Sequence, residues 1–298
     1  DALDQVFINL SLANEQHSTI SDAYSYPAMD IAYQATDMVR GFAPFVSFAK
    51  LRVAWGKVGV RPGAHAFETL AESGFGYSAY SDPVSVGQWG GGYRVDNNKG
   101  NDKLKPEVKT ETEFGADLRF FDDKFSFGFT YYSNEINDML ISRTLSPTSG
   151  FSSQYANAAS MTNKGIEIEI DADVIRTDNF TWSIYSNYAT LDNKVTRLAK
   201  DAEGNYINND SGYYRTRVGE ELNSWNIRQW AGVNSETGNP MYYKGGEDFD
   251  MTIVNSYNEA LLTPVGNRLP TFSGGLGSRV NWGGFYADAN FYFSGGNK

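Results

Sequence analysis

The sequence contains no cysteine and only two histidines, His17 and His65, among 298 residues. Without thiols there is no disulfide framework, no thiolate metal site and no cysteine nucleophile. Two histidines leave little for a histidine-based centre, so we expect no metal, no cofactor and no catalytic residue. No apolar run approaches the ~20 residues of a membrane-spanning helix. The mean hydropathy of −0.46 agrees, but a transmembrane β-barrel passes the same test, because lumen-facing residues dilute the hydropathy of every strand. Basic charge is also scarce: 25 Lys and Arg stand against 36 Asp and Glu, a formal net charge of −11 with no basic block. Nucleic-acid binding rests on neutralising phosphates, so we expect none. No secretion leader is visible, and the first residue is Asp1 rather than Met. We therefore expect a mature or partial chain.

What the chain has in quantity is glycine (30), tyrosine (19) and phenylalanine (19), the residues of turns and strands. Their order is clearest from Leu104 to Thr130, LKPEVKTETEFGADLRFFDDKFSFGFT. Phe114, Ala116, Leu118 and Phe120 alternate with Glu113, Gly115, Asp117 and Arg119. Phe121-Asp122-Asp123-Lys124 predicts a turn, after which Phe125, Phe127, Phe129 and Tyr131 alternate with Ser126, Gly128, Thr130 and Tyr132. A period of two puts these sets on opposite faces of a hairpin, one greasy and one polar. A soluble sheet hides such a face in a core; a membrane barrel turns it to lipid and keeps the polar face for the lumen.

Residues 1–46 read loosely as strand, loop, strand, with Met29 to Met38 open between strand and helix. LRVAWGKVG from Leu51 predicts a strand, and a long Gly-rich aromatic connection follows from Val60 to Lys103. A second long connection is expected from Ser133 to Thr162. Ile166, Ile168, Ile170 and Ala172 then oppose Glu167, Glu169, Asp171 and Asp173, and a turn near Arg176 leads into FTWSIYSNYAT. A third long connection runs from Asp192 to Ser224, a strand from Trp225 to Gly232, and a fourth connection to about Pro270. Phe272, Leu276, Val280 and Trp282, then Phe285, Ala287, Ala289, Phe291 and Phe293, flank a last turn near Gly283. Short turns near Asp122, Arg176 and Gly283 alternating with long connections describe an outer-membrane barrel better than an evenly spaced sandwich. Trp55, Tyr131, Trp182 and Trp282 sit towards the ends of apolar faces, as in an aromatic girdle.

Several segments resemble the SusC/RagA type of TonB-dependent outer-membrane transporter: LRVAWGKVG (51–59), LKPEVKTETEFGADLRFFDDKFSFGFTYY (104–132), NAASMTNKGIEIEI (157–170), RVGEELNSW (217–225), GVNSETGNPMYYK (232–244) and NRLPTFSGGL (267–276). They fall in the family's order. The resemblance implies an all-β, antiparallel transmembrane barrel of ~22 strands with short periplasmic turns and long extracellular loops. This chain has room for about eight to ten strands. Residues 1–298 are thus expected to be one internal part of that barrel, with the plug domain and the C-terminal strands absent. The resemblance further implies import of oligosaccharides or peptides across the bacterial outer membrane, with no enzyme activity. The implied partners are a SusD-like surface lipoprotein, TonB acting through the plug, and the bilayer with its lipopolysaccharide. The alternative is a surface-exposed β-sheet adhesin that binds glycans without transport.

The candidate site residues follow from the two faces and the loops. Glu113, Asp117, Arg119, Glu167, Glu169 and Asp171 are expected to line the lumen. The acidic row from Glu167 to Asp173 invites a catalytic or cation-binding reading, but consecutive same-face carboxylates on one strand offer no means of separating an acid from a base. Phe114, Leu118, Phe120, Phe125, Phe127, Phe129, Ile166, Ile168 and Ile170 are expected to face lipid. Trp89, Tyr93, Tyr206, Tyr213, Tyr214, Trp225 and Tyr242 are loop aromatics that either contact a ligand or partner, or hold the loops together.

Overall fold

The computed structural model describes residues 5–19, 22–73, 93–200, 204–207 and 209–298. Nine long strands dominate: β1 (Val6–Glu15), β2 (Tyr24–Gln34), β3 (Val46–Val60), β4 (Glu107–Phe120), β5 (Phe125–Thr144), β6 (Ser153–Arg176), β7 (Phe180–Thr190), β8 (Phe272–Trp282) and β9 (Phe285–Gly295). Each pairs antiparallel with the next in chain order, with β1 and β9 at the edges of the sheet. A meander of such long strands is a length of barrel wall that has not closed.

Turn chemistry sets one rim. Gly283 and Gly284, at φ +52° and +88°, make the two-residue left-handed turn that favours Gly-Gly in a hairpin. Phe121, Asp122 and Asp123 take φ of 57°, 56° and 62° to join β4 to β5. Thr177 closes the β6–β7 turn, its N–H donating to the Phe180 carbonyl at 2.8 Å and its hydroxyl accepting the Phe180 N–H at 3.1 Å. The same rim carries the short helix α1 (Thr36–Arg40) between β2 and β3. Here Phe45, Phe120, Phe121 and Phe125 stack with centroids 5.7 to 6.3 Å apart. Phe45 and Phe121 join this ring from turns, where alternation gave no cue.

The register aligns the greasy faces into one band. Ile8, Ile31, Val53, Phe114, Tyr131 and Ile166 form one row across the sheet. Ala49, Leu118, Phe127, Ile170, Ser186, Leu276 and Phe291 form another. Among the described residues nothing covers the ends of this band: Leu10 is 74% and Phe291 67% exposed. Each such side chain left in water would forgo about 1.5–3 kcal/mol. A face spread over nine strands is therefore stable only where something apolar covers it.

Three sequence expectations need correction. The connection expected from Ser133 to Thr162 is mostly strand: β5 runs on to Thr144 and β6 starts at Ser153. Alternation fails there because bulges between Ile136, Met139 and Leu140 reset the register. The strand expected from Trp225 to Gly232 is two, Ser224–Ile227 and Trp230–Val233, in different small sheets. The third and fourth long connections are accordingly one excursion between β7 and β8. It opens with the strand Asp192–Leu198, which pairs with β6 beyond the end of β7.

Candidate functional site

The polar face is the surface with chemistry on it. Arg52 of β3 lies across β4, where its guanidinium meets Asp117 at 3.5 Å, and donates to the Thr130 hydroxyl on β5 at 2.6 Å. Gly115 makes this possible, since a Cβ there would stand 2.5 Å from the Arg52 side chain. Tyr185 of β7 likewise crosses β8 over Gly277, where a Cβ would meet its ring at 2.2 Å. Its hydroxyl donates to Asp288 at 2.6 Å and reaches Asn290 on β9, while Arg279 donates to Asp288 at 2.8 Å. Two long side chains thus lie flat against the wall, each bridging three strands over a glycine. Strand glycines signal such close approaches, so Gly115 and Gly277 were readable in the sequence and were missed.

Glu113, Asp117, Arg119, Glu167, Glu169 and Asp171 all stand on this face by register. A concavity of about 720 Å³ lies among Lys50, Asp117, Arg119, Glu169, Asp171 and Asn187. A second, of about 350 Å³, lies among Arg52, Glu111, Glu113, Glu167 and Tyr132. Basic side chains intersperse the acidic row: Arg119 covers the Phe48 ring at 5.1 Å, and Arg176 pairs with Asp173 at 3.4 Å. Among the described residues no group of three His, Asp or Glu is arranged to hold a metal ion. The arrangement is an exposed polar wall on which an acidic row stands beside a few basic side chains. The residues Phe114, Leu118, Phe120, Phe125, Phe127, Phe129, Ile166, Ile168 and Ile170 all share the opposite face.

The excursion between β7 and β8 is organised by charge. Arg215, 6% exposed at its side chain, pairs with Glu220 and takes both carboxylate oxygens of Glu247 at 2.9 and 2.7 Å. Glu221 accepts the backbone N–H groups of Arg268 and Leu269 at 3.0 and 2.9 Å. Asp250 accepts the Thr252 N–H at 2.9 Å and pairs with Lys244 at 3.3 Å; the Thr252 hydrogen bonds first, and Lys244 after them, hold its carboxyl down to about 2. The loop aromatics divide. Tyr214 packs on Trp225 at 4.9 Å beneath Arg268, and Tyr242 meets Tyr257 edge-on at 5.5 Å; these hold the loops together. Tyr206 and Tyr213 point outwards, 44% and 59% exposed. Tyr93 begins the short strand Tyr93–Val95, and Trp89 lies outside the described residues.

Residues 2–297 match the family model described as TonB dependent receptor-like, beta-barrel. The chain belongs to that family. The receptor barrel segment is 29% identical over 259 residues to TonB-dependent receptor P3 of Formosa agariphila, covering 82% of this chain and 25% of that protein. It is 28% identical over 151 residues to TonB-dependent receptor SusC of Bacteroides thetaiotaomicron, covering 47% of this chain and 15% of that protein. Its fold matches the RagAB peptide importer in its closed-closed state with a TM-score of 0.79 at 20% identity, over 98% of this chain and 32% of that one. The open-open state of the same importer gives 0.79 at 21% identity. The segment thus spans between 15% and 32% of the length of these relatives, and its meander matches part of their barrel fold. The SusC/RagA resemblance and the antiparallel barrel class both hold.

Proposed function

We propose that this segment is wall of an outer-membrane TonB-dependent importer that takes up oligosaccharides or peptides with a SusD-like surface lipoprotein. The observation that carries this reading is the continuous apolar band across nine strands, backed by a mostly polar face that is charged on β3 to β6. In this reading the band meets lipid, the charged face lines the lumen, and the rim of tight turns is periplasmic. The rim bearing the connection between β3 and β4 and the excursion between β7 and β8 faces outwards, where lid and ligand arrive. A plug and further strands in the intact protein complete the barrel, and TonB works through the plug. No step requires covalent chemistry from this wall. A soluble adhesin would need its Phe-rich faces buried against a second layer; the band instead has no second sheet over it among the described residues.

Native membranes extracted in detergent, followed by mass analysis of this chain and of whatever copurifies, test the reading. The expected result is a membrane-bound chain three to four times longer than 298 residues with a lipidated companion. A deletion strain is then expected to lose growth on either a glycan or a peptide source, which names the substrate class. A water-soluble chain without a companion overturns the proposal.

A further inference from the structure

The excursion between β7 and β8 comes back onto the polar face. Towards the loop-bearing rim, that face carries four residues in register: Glu111 of β4, Asn134 of β5, Asn163 of β6 and Asn193 of the strand Asp192–Leu198. Hydrogen bonds run along them as a ladder. Asn134 donates to Glu111 at 3.0 Å, Asn163 to Asn134 at 2.9 Å, and Asn193 to Asn163. The last amide oxygen, on Asn193, accepts the backbone N–H of Leu222 at 3.0 Å.

Two residues further towards that rim, on the same face, the next row is Ile136, Met161 and Val195. The polarity of the face has inverted. Met161 and Val195 are buried, 6% and 1% exposed, and Val218 and Leu222 of the excursion pack against them. The main chain adds two bonds of 2.8 Å, from the Gly219 N–H to the Val195 carbonyl and from the Val195 N–H to the Glu220 carbonyl. From behind, Arg215 holds Glu220, and Glu221 holds the backbone at Arg268 and Leu269. An apolar row on an otherwise hydrated wall is stable only under a segment that stays in place.

We propose that residues 217–222 form a fixed shelf over the outer mouth of the lumen, positioned by the asparagine ladder and the Ile136–Met161–Val195 row, and that this shelf limits the size of what enters. The inference rests on the assignment of the polar face to the lumen. Selection then belongs to Val218, Leu222 and Asn193 as positioning residues, with the paired Glu220 beside a concavity of about 480 Å³.

The test uses the intact protein in whole cells. Residues 1–298 contain no cysteine, so Glu167→Cys places one thiol in this segment, on the exposed polar face below the shelf, and labelling is read against the intact protein without that substitution. A compact membrane-impermeant maleimide is expected to label it readily, and a bulky polymer-linked maleimide several-fold more slowly. Asn193→Ala and Val218→Asp are each expected to close that gap several-fold and to open the peptide bond after Arg217 to trypsin. An unchanged gap in variants whose Arg217 bond has become cleavable overturns the shelf as a size filter. Continued protection of that bond in both variants overturns the ladder and the apolar row as its supports. Failure of either reagent to reach Glu167→Cys, with labelling of Ile168→Cys instead, reverses the faces and removes the lumen assignment together with the shelf.

Discussion

Phe127 and Ser126 are chain neighbours on opposite faces of β5, and their environments differ as far as two adjacent residues can. Phe127 sits in the apolar row between Leu118 and Ile170; Ser126 faces Arg119 and Asp171 across the polar wall. Arginine near the middle of the lipid face of a barrel costs about 2–4 kcal/mol, whereas substitutions on a hydrated surface stay within about 0.5 kcal/mol. Phe127→Arg is therefore expected to lower the unfolding free energy of the refolded intact barrel by about 2–4 kcal/mol. Ser126→Arg should leave it within about 1 kcal/mol, with the new charge beside Asp171. Denaturant titration in detergent or bilayers measures both. Equal losses at the two positions would remove the assignment of faces. Gly277 and Gly115 signalled a close approach, but nothing in the sequence named Tyr185 and Arg52 as the groups that make it. Alternation places them on the polar face, but only the missing Cβ of Gly277 and Gly115 lets them lie down across a neighbouring strand.

At the scale of elements, the hairpins whose tight turn and flanking strands both carry their own signal were the legible part. The β4–β5 and β6–β7 turns fall where Phe121–Lys124 and Arg176–Asn179 predicted them, and the β8–β9 turn falls on the second half of the expected Asn281–Gly284. The Gly-Gly turn admits a direct check. Gly284 has φ +88°, and an L-residue in left-handed backbone costs roughly 1–2 kcal/mol. Gly284→Val is expected to destabilise the barrel by that order and to shift the unfolding midpoint without changing the transition slope. No shift would mean that the turn contributes nothing to closing β8 onto β9. What the sequence hid lies beyond the apolar band. Past Tyr132, β5 carries Asn134, Glu135, Asn137 and Asp138 and loses its alternation. Asp138 turns left-handed at φ 56° and the register bulges, yet β5 runs on for twelve residues past Tyr132, ending with Leu140–Thr144 against Ser153–Asn157. The excursion was illegible for a different reason. Its strands past Leu198, of three to six residues, are held by ion pairs such as Arg215 with Glu220 and Glu247, which leave no period to read.

The whole molecule is defined by what its sheet lacks at each side. β1 pairs through one edge with β2, and β9 through one edge with β8. Every second N–H and C=O along the free edge of each points outwards, and both strands lie in the apolar band, where Leu10, Leu12, Phe285 and Phe291 are all exposed. Lipid supplies no hydrogen bonds, and each unsatisfied backbone group there costs several kcal/mol. With strands of 10 and 11 residues, about five groups of each kind stand open per edge, a cost beyond the roughly 5–15 kcal/mol by which whole domains are stable. Residues 1–298 produced alone are therefore expected to associate edge to edge, giving broad high-mass species in detergent and no heat-modifiable monomer on a gel. The intact protein is expected to run as a compact heat-modifiable band, because its remaining strands satisfy both edges at once. The contrast separates two ways of building a β-wall. A sandwich half that loses its partner sheet loses burial and aggregates through its faces, so charge placed on the apolar face rescues it. A barrel arc fails through its edges. Proline in β1 and β9 at positions whose N–H points out of the sheet should then suppress association of the isolated chain more than any change on the band. Rescue by face charges and not by edge prolines would return this chain to the sandwich class.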